Sequence, residues 1–77
     1  MGKEVKMFVV VYKDIDGKSH WIDDEGNYSL DSQEMTENDA EMAVTAFKES
    51  VPEIILTELE RGWAKIDIYP ADYFAIV

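Results

Sequence analysis

Apolar and polar residues alternate near the start of the chain. Val5, Met7, Val9 and Val11 fall on one side of an extended segment, and Lys6, Phe8, Val10 and Tyr12 on the other. Period-two spacing rich in β-branched and aromatic residues predicts a strand. Because both of its sides are apolar, that strand is expected to lie inside a sheet or to be covered on both faces. Asp16-Gly17 follows, a pair suited to the positive φ values of a two-residue hairpin turn. Residues 5–23 are therefore expected to form a β-hairpin. Centred on that turn, Ile15 faces Lys18, Lys13 faces His20, Tyr12 faces Trp21 and Val11 faces Ile22.

The pattern then turns polar from 23 to 35, with Gly26-Asn27 as a second turn signal and Tyr28-Ser29-Leu30 as a short returning strand. A helix is predicted next. Thr36-Glu37-Asn38-Asp39 has the spacing of a capping box, with Asp at the usual Glu position, and Met35 and Ala40 stand where a hydrophobic staple belongs. Ala40, Val44, Phe47 and Val51 repeat at helical spacing on one face. Residues 51–62 admit a strand (Ile54-Ile55-Leu56-Thr57) or a second short helix. Ser50-Val51-Pro52-Glu53 at the start and Gly62 at the end favour the helix. Trp63 to Tyr69 alternates again, with Ala64, Ile66 and Ile68 on the inner side. Pro70-Ala71-Asp72 reads as a turn, and Tyr73–Val77 as a final apolar strand that must be tucked into a sheet.

These elements predict one α+β domain over residues 1–77: a small antiparallel sheet of about four strands with one or two helices on one face, in the order ββααββ. The alternative, with Ile54–Leu59 extended, is ββαββ. No internal repeat or linker interrupts the pattern.

Charge changes the picture more than composition does. The 77 residues carry 17 acids, 7 bases and one histidine, for a net charge of -10. The acids are segregated. Ser19 to Phe47 holds Asp23, Asp24, Glu25, Asp31, Glu34, Glu37, Asp39 and Glu41 and no Lys or Arg; the rest of the chain nearly balances. Acid-rich turns and helix starts commonly do no more than keep a small protein soluble. Eight like charges on so short a stretch also repel one another, which points to a use. A focused negative field speeds association with a basic surface and rejects free nucleic acid.

Candidate chemistry removes several classes. With no cysteine there is no disulfide, thiol nucleophile or thiolate metal site. Neither Gly17 nor Gly26 is preceded by the ligand spacing of an EF-hand loop. Asp23, Asp24, Glu25 and Asp31 would hold a divalent cation only loosely. His20 is the lone histidine and sits on a strand, the serines lack nucleophile-elbow glycines, and no phosphate-binding loop or dinucleotide fingerprint occurs. No catalytic residue, metal or cofactor is therefore expected, and the chain reads as a non-enzyme. The longest apolar run is far too short for a membrane span and lacks a signal-peptide cleavage site, so the expected compartment is the cytoplasm.

The functional expectation is an acidic protein-binding or regulatory module that docks on a basic protein surface. The eight acids, with Trp21 and Tyr28 as aromatic anchors, form the expected partner-binding set. A sharper version has the acids imitate nucleic-acid phosphates and inhibit a DNA- or RNA-binding protein. Small acidic inhibitors from phages and mobile elements offer a class-level analogy for it. The competing expectation is a structural protein that forms a homodimer through its strand edges.

Overall fold

The computed structural model describes residues 6–75. It contains β1 (Phe8–Lys13), β2 (Ser19–Ile22), β3 (Tyr28–Ser29), α1 (Glu37–Ser50), α2 (Glu53–Glu60) and β4 (Lys65–Pro70), followed by a 3-10 helix at Ala71–Ala75. The strands form one antiparallel sheet in the order β3-β2-β1-β4. The α+β class and the two-helix order are thus as expected. β1, apolar on both sides, lies in the interior between β2 and β4.

Helices cover one face of the sheet. Val10 and Tyr12 of β1 and Ile22 of β2 pack with Met35, Ala40, Ala43, Phe47 and Ala64 into one buried cluster, which Val44, Ile55, Leu59, Ile66 and Ile68 extend. The helical face read from Ala40, Val44 and Phe47 is the face that meets the sheet. Met35 also joins the sheet: it exchanges both backbone hydrogen bonds with Phe8, at 2.7 and 2.9 Å. It thereby occupies the place beside β1 that β2 leaves when it turns away after Ile22.

Three local features differ from the sequence reading. The first is the hairpin register. Asp14 N–H donates to Lys18 O and Gly17 N–H to Asp14 O, with Gly17 at φ 84°. This is a three-residue loop closed by a bulge, one residue longer than the two-residue turn read from Asp16-Gly17. Its register pairs Lys13 with Ser19, Tyr12 with His20, Val11 with Trp21 and Val10 with Ile22. A slip of one residue exchanges the faces of a strand, so His20 lies on the helix side with Tyr12 while Trp21 lies on the opposite side with Val11.

The second concerns helix ends. Thr36 caps α1, its hydroxyl accepting from Asp39 N–H at 3.1 Å. The similar spacing at Ser50 makes no cap: the Ser50 hydroxyl donates back to Phe47 O, and Pro52 occupies the cap of α2 without a side-chain bond. At the other end Trp63 N–H donates to Glu58 O and Gly62 N–H to Leu59 O, with Gly62 at φ 79°. That is a complete Schellman motif.

The third is the end of the chain. Residues 71–75 form a 3-10 helix and not the expected strand; Ile76 and Val77 lie outside the described residues, as does Val5 at the other end. The β1–β4 ladder runs on to Ala71, whose N–H donates to Met7 O at 2.8 Å. Beyond it the chain folds over the helix-free face, where the Tyr73 ring stacks on Tyr69 with centroids 5.2 Å apart.

Candidate functional site

The acidic segment is built from a turn, a short loop and a helix start. Asp23–Asn27 forms the turn between β2 and β3. Asp23 Oδ1 accepts from the N–H groups of Glu25 and Asn27, each at 2.9 Å, and Gly26 N–H donates to Asp23 O. The same arrangement closes the first hairpin: Asp14 Oδ1 accepts from Asp16 and Lys18 N–H, and Gly17 matches Gly26 in φ. Asp-x-x-Gly thus recurs nine residues apart in sequence as one turn used twice. The aspartate supplies an acceptor for two backbone donors, and the glycine takes the left-handed conformation.

Asp23 is accordingly half-buried and bound to its own turn, whereas Asp24 and Glu25 are exposed at the turn centre. Gly26 seats the turn on α1. A Cβ there would lie 2.6 Å from Phe47 N and 2.9 Å from the carbonyl carbon and Cβ of Ala46. Asp31 and Glu34 are exposed on the loop after β3, which a Ser29 hydroxyl bond to Asp31 O holds at 2.8 Å. Glu37, Asp39 and Glu41 are exposed on the first turns of α1, where the helix dipole favours negative charge. Among the described residues none of these eight carboxylates lies within ion-pair distance of a base; the one carboxylate that meets a ring nitrogen at that distance is Asp14, beside His20.

A shallow groove of about 440 Å³, open to solvent and formed by α1 alone, runs along the outer face of the helix over Asn38, Glu41, Met42, Thr45, Ala46 and Glu49. Its apolar floor is Ala46 with Met42, which is 60% exposed. Ala46 is also a residue on which the Gly26 turn rests, so the turn that carries Asp24 and Glu25 is seated on the same helix. No base lines it. Asn38, Met42, Thr45 and Glu49 follow at i, i+4, i+7 and i+11, the stripe opposite the core stripe. That spacing was the available signal for Met42 and Glu49, which the charge count alone passes over.

The two aromatic candidates separate. Tyr28, 56% exposed, lies on the helix side next to the Gly26 turn. Its ring stacks on His20 with centroids 5.0 Å apart, and His20 stacks on Tyr12 at 5.8 Å. Trp21 lies on the other side of the sheet, away from α1. The structure therefore brings Asp24, Glu25, Tyr28 and Glu41 to one side, and places Trp21 elsewhere.

The ladder of rings ends at a hydrogen bond to a carboxylate. His20 Nε2 lies 2.9 Å from Asp14 Oδ2. This bond, reinforced by the backbone donors Lys18 and Asp16, holds the Asp14 carboxyl below the usual aspartate range. Burial pushes the Tyr12 phenol up, helped by the nearby Tyr28, Glu58 and Asp14. The described residues contain no group of three or more His, Asp or Glu side chains arranged to hold a metal ion. No described helix is long and apolar enough to cross a membrane.

Comparison with known proteins finds no matching family model, curated protein or solved structure.

Proposed function

We propose that the protein is a non-enzymatic docking module that binds a basic partner along the outer face of α1. The observation that carries this reading is the groove itself. It has a soft apolar floor at Met42 and Ala46, carboxylates at Glu41 and Glu49, and no base among its lining residues; the turn bearing Asp24 and Glu25 is seated on the same helix. Methionine adapts its shape to a bound side chain. Carboxylates beside it select a positively charged partner and speed the encounter. A basic amphipathic segment that presents one apolar side chain among Lys or Arg has the matching chemistry. Asp31, Glu34, Glu37 and Asp39 extend the field without lining the groove.

An inhibitor that imitates nucleic-acid phosphates is a special case of this docking. It adds one property: DNA or RNA would compete for the partner.

The test is to recover a partner from cell lysate at low salt and titrate it into ¹⁵N-labelled protein. The reading expects amide shifts concentrated at residues 38–49 and 24–28. Shifts confined to the helix-free face, around Val11 and Trp21, would contradict it.

A further inference from the structure

The sheet has two edges, and they are not alike. β3 is a two-residue edge beside the acidic turn. β4 is a six-residue edge, Lys65–Pro70, and no strand lies outside it among the described residues. We propose that β4 is a self-association edge, on which a second copy of this chain adds antiparallel about a two-fold axis at Ile66. This goes beyond the docking reading and does not depend on it.

The backbone decides which groups are offered. Antiparallel ladders alternate hydrogen-bonded and non-hydrogen-bonded pairs. Ala71 N–H donates to Met7 O, so the odd-numbered residues Tyr69, Asp67 and Lys65 bond inward to β1. Ile66, Ile68 and Pro70 then direct their backbone groups outward. Pro70 has no N–H to offer, which blunts that end of the edge. The usable outward groups are those of Ile66 and Ile68. The Ala64 N–H is already bound to Glu58 O at 3.2 Å, leaving its carbonyl.

A symmetric antiparallel pair keeps equivalent faces together only when its axis falls on a residue. Three registers fit this edge. Centred on Asp67, the axis places two carboxylates directly opposite each other in a closely spaced, non-hydrogen-bonded pair, which is repulsive. Centred on Ile68, it sets Pro70 opposite Ile66 where an N–H is required. Centred on Ile66, it pairs Ile66 with its own copy through both backbone bonds, and lets Ile68 N–H reach the Ala64 carbonyl of the second copy. It also sets Lys65 against Asp67 of the second copy, twice. These are closely spaced pairs of opposite charge, both side chains being exposed on the helix-free face. On the helix side the half-buried Ile66 meets its own copy and the half-buried Ile68 faces Ala64 of the second copy, so the two cores would join across the axis.

Charge does not forbid the approach. The Asp23–Asn27 turn and β3 lie at the far edge, three strand spacings from β4 or about 14 Å. That exceeds the Debye length of roughly 8 Å at physiological salt.

The test is sedimentation velocity over a concentration series on the wild type, Lys65→Asp, Asp67→Lys and the double swap Lys65→Asp/Asp67→Lys, with circular dichroism to establish that each is folded. The proposal expects a wild-type dimer, association at least tenfold weaker in each single variant, and recovery in the double swap, which restores both pairs with their signs exchanged. A wild type that stays monomeric at millimolar concentration overturns it. So does a dimer that the single variants leave unchanged, or a double swap no better than its parents.

Discussion

Gly26 lies against the backbone of Phe47 so closely that an added Cβ would sit 2.6 Å from the Phe47 amide nitrogen. Gly17 has the same φ of 84° in an equivalent turn, yet an added Cβ there meets nothing within 4 Å. The pair separates the two duties of a turn glycine. Gly17→Ala should cost only the left-handed conformation, roughly 1–2 kcal/mol. Gly26→Ala should cost that and a further ~1–3 kcal/mol for overpacking against a helix backbone that cannot yield. Urea denaturation of both variants measures the difference. Equal losses would mean that the acidic turn does not rest on α1.

The two turn aspartates should not tolerate change as their neighbours do. Asp23→Ala removes the acceptor for two backbone donors and should cost about 1 kcal/mol or more. Asp24→Asn/Glu25→Gln removes two charges and no hydrogen bond seen in the fold, so its thermal midpoint should stay within a few degrees of the wild type. A partner-binding test of the acidic turn should therefore leave Asp23 in place.

Asp14 should write itself into the acid limb of stability. Its folded pKa lies below the ordinary value of about 3.8 because His20 and the turn amides favour the carboxylate. The folded state thus binds its proton less readily than the unfolded state. The stabilisation is present above pH 3.8 and is lost as pH falls through the lower, folded value. Asp14→Asn should flatten the decline in melting temperature between pH 4 and pH 2. An unchanged decline would detach the His20 contact from stability.

Tyr12 should act at the other end of the scale. Burial raises its phenol above the ordinary value of 10.0. The unfolded state then ionises first. Stability is fully present below pH 10 and falls as pH rises toward the folded pKa. Tyr12→Phe should remove that part of the alkaline decline, read by thermal melts from pH 9 to pH 12.

Much of this fold is legible from periodicity. The alternation of β1, the core stripe of α1, the Thr36 cap and the Gly62 terminus each follow from local chemistry that the tertiary structure reinforces. The misreadings have physical sources. Asp16-Gly17 suggests a two-residue turn only if Asp14 is ignored. Its carboxylate, three residues before Gly17, selects the longer bulged loop, and that one residue moves His20 and Trp21 to opposite faces. Asp23 and Gly26 repeat the spacing, so the pattern was present twice. Tyr73 and its neighbours have strand composition, but the last ladder bond is made at Ala71 and the chain then turns over the sheet. In the candidate site, the charge count locates the acidic segment but not its floor. Ala46 matters because the Gly26 turn lands on it, a contact between segments twenty residues apart, and Met42 lies one helical turn before it.

The docking account is tested most directly by the salt dependence of binding to the recovered partner. The wild type should be compared with Asp24→Asn/Glu25→Gln/Glu41→Gln/Glu49→Gln by stopped-flow association between 0.05 and about 0.5 M salt, where the Debye length shrinks to under about 5 Å. The account predicts a wild-type association rate that falls steeply with salt, and a variant rate that is low throughout and nearly flat. Equal rates and equal slopes for the two proteins would contradict it.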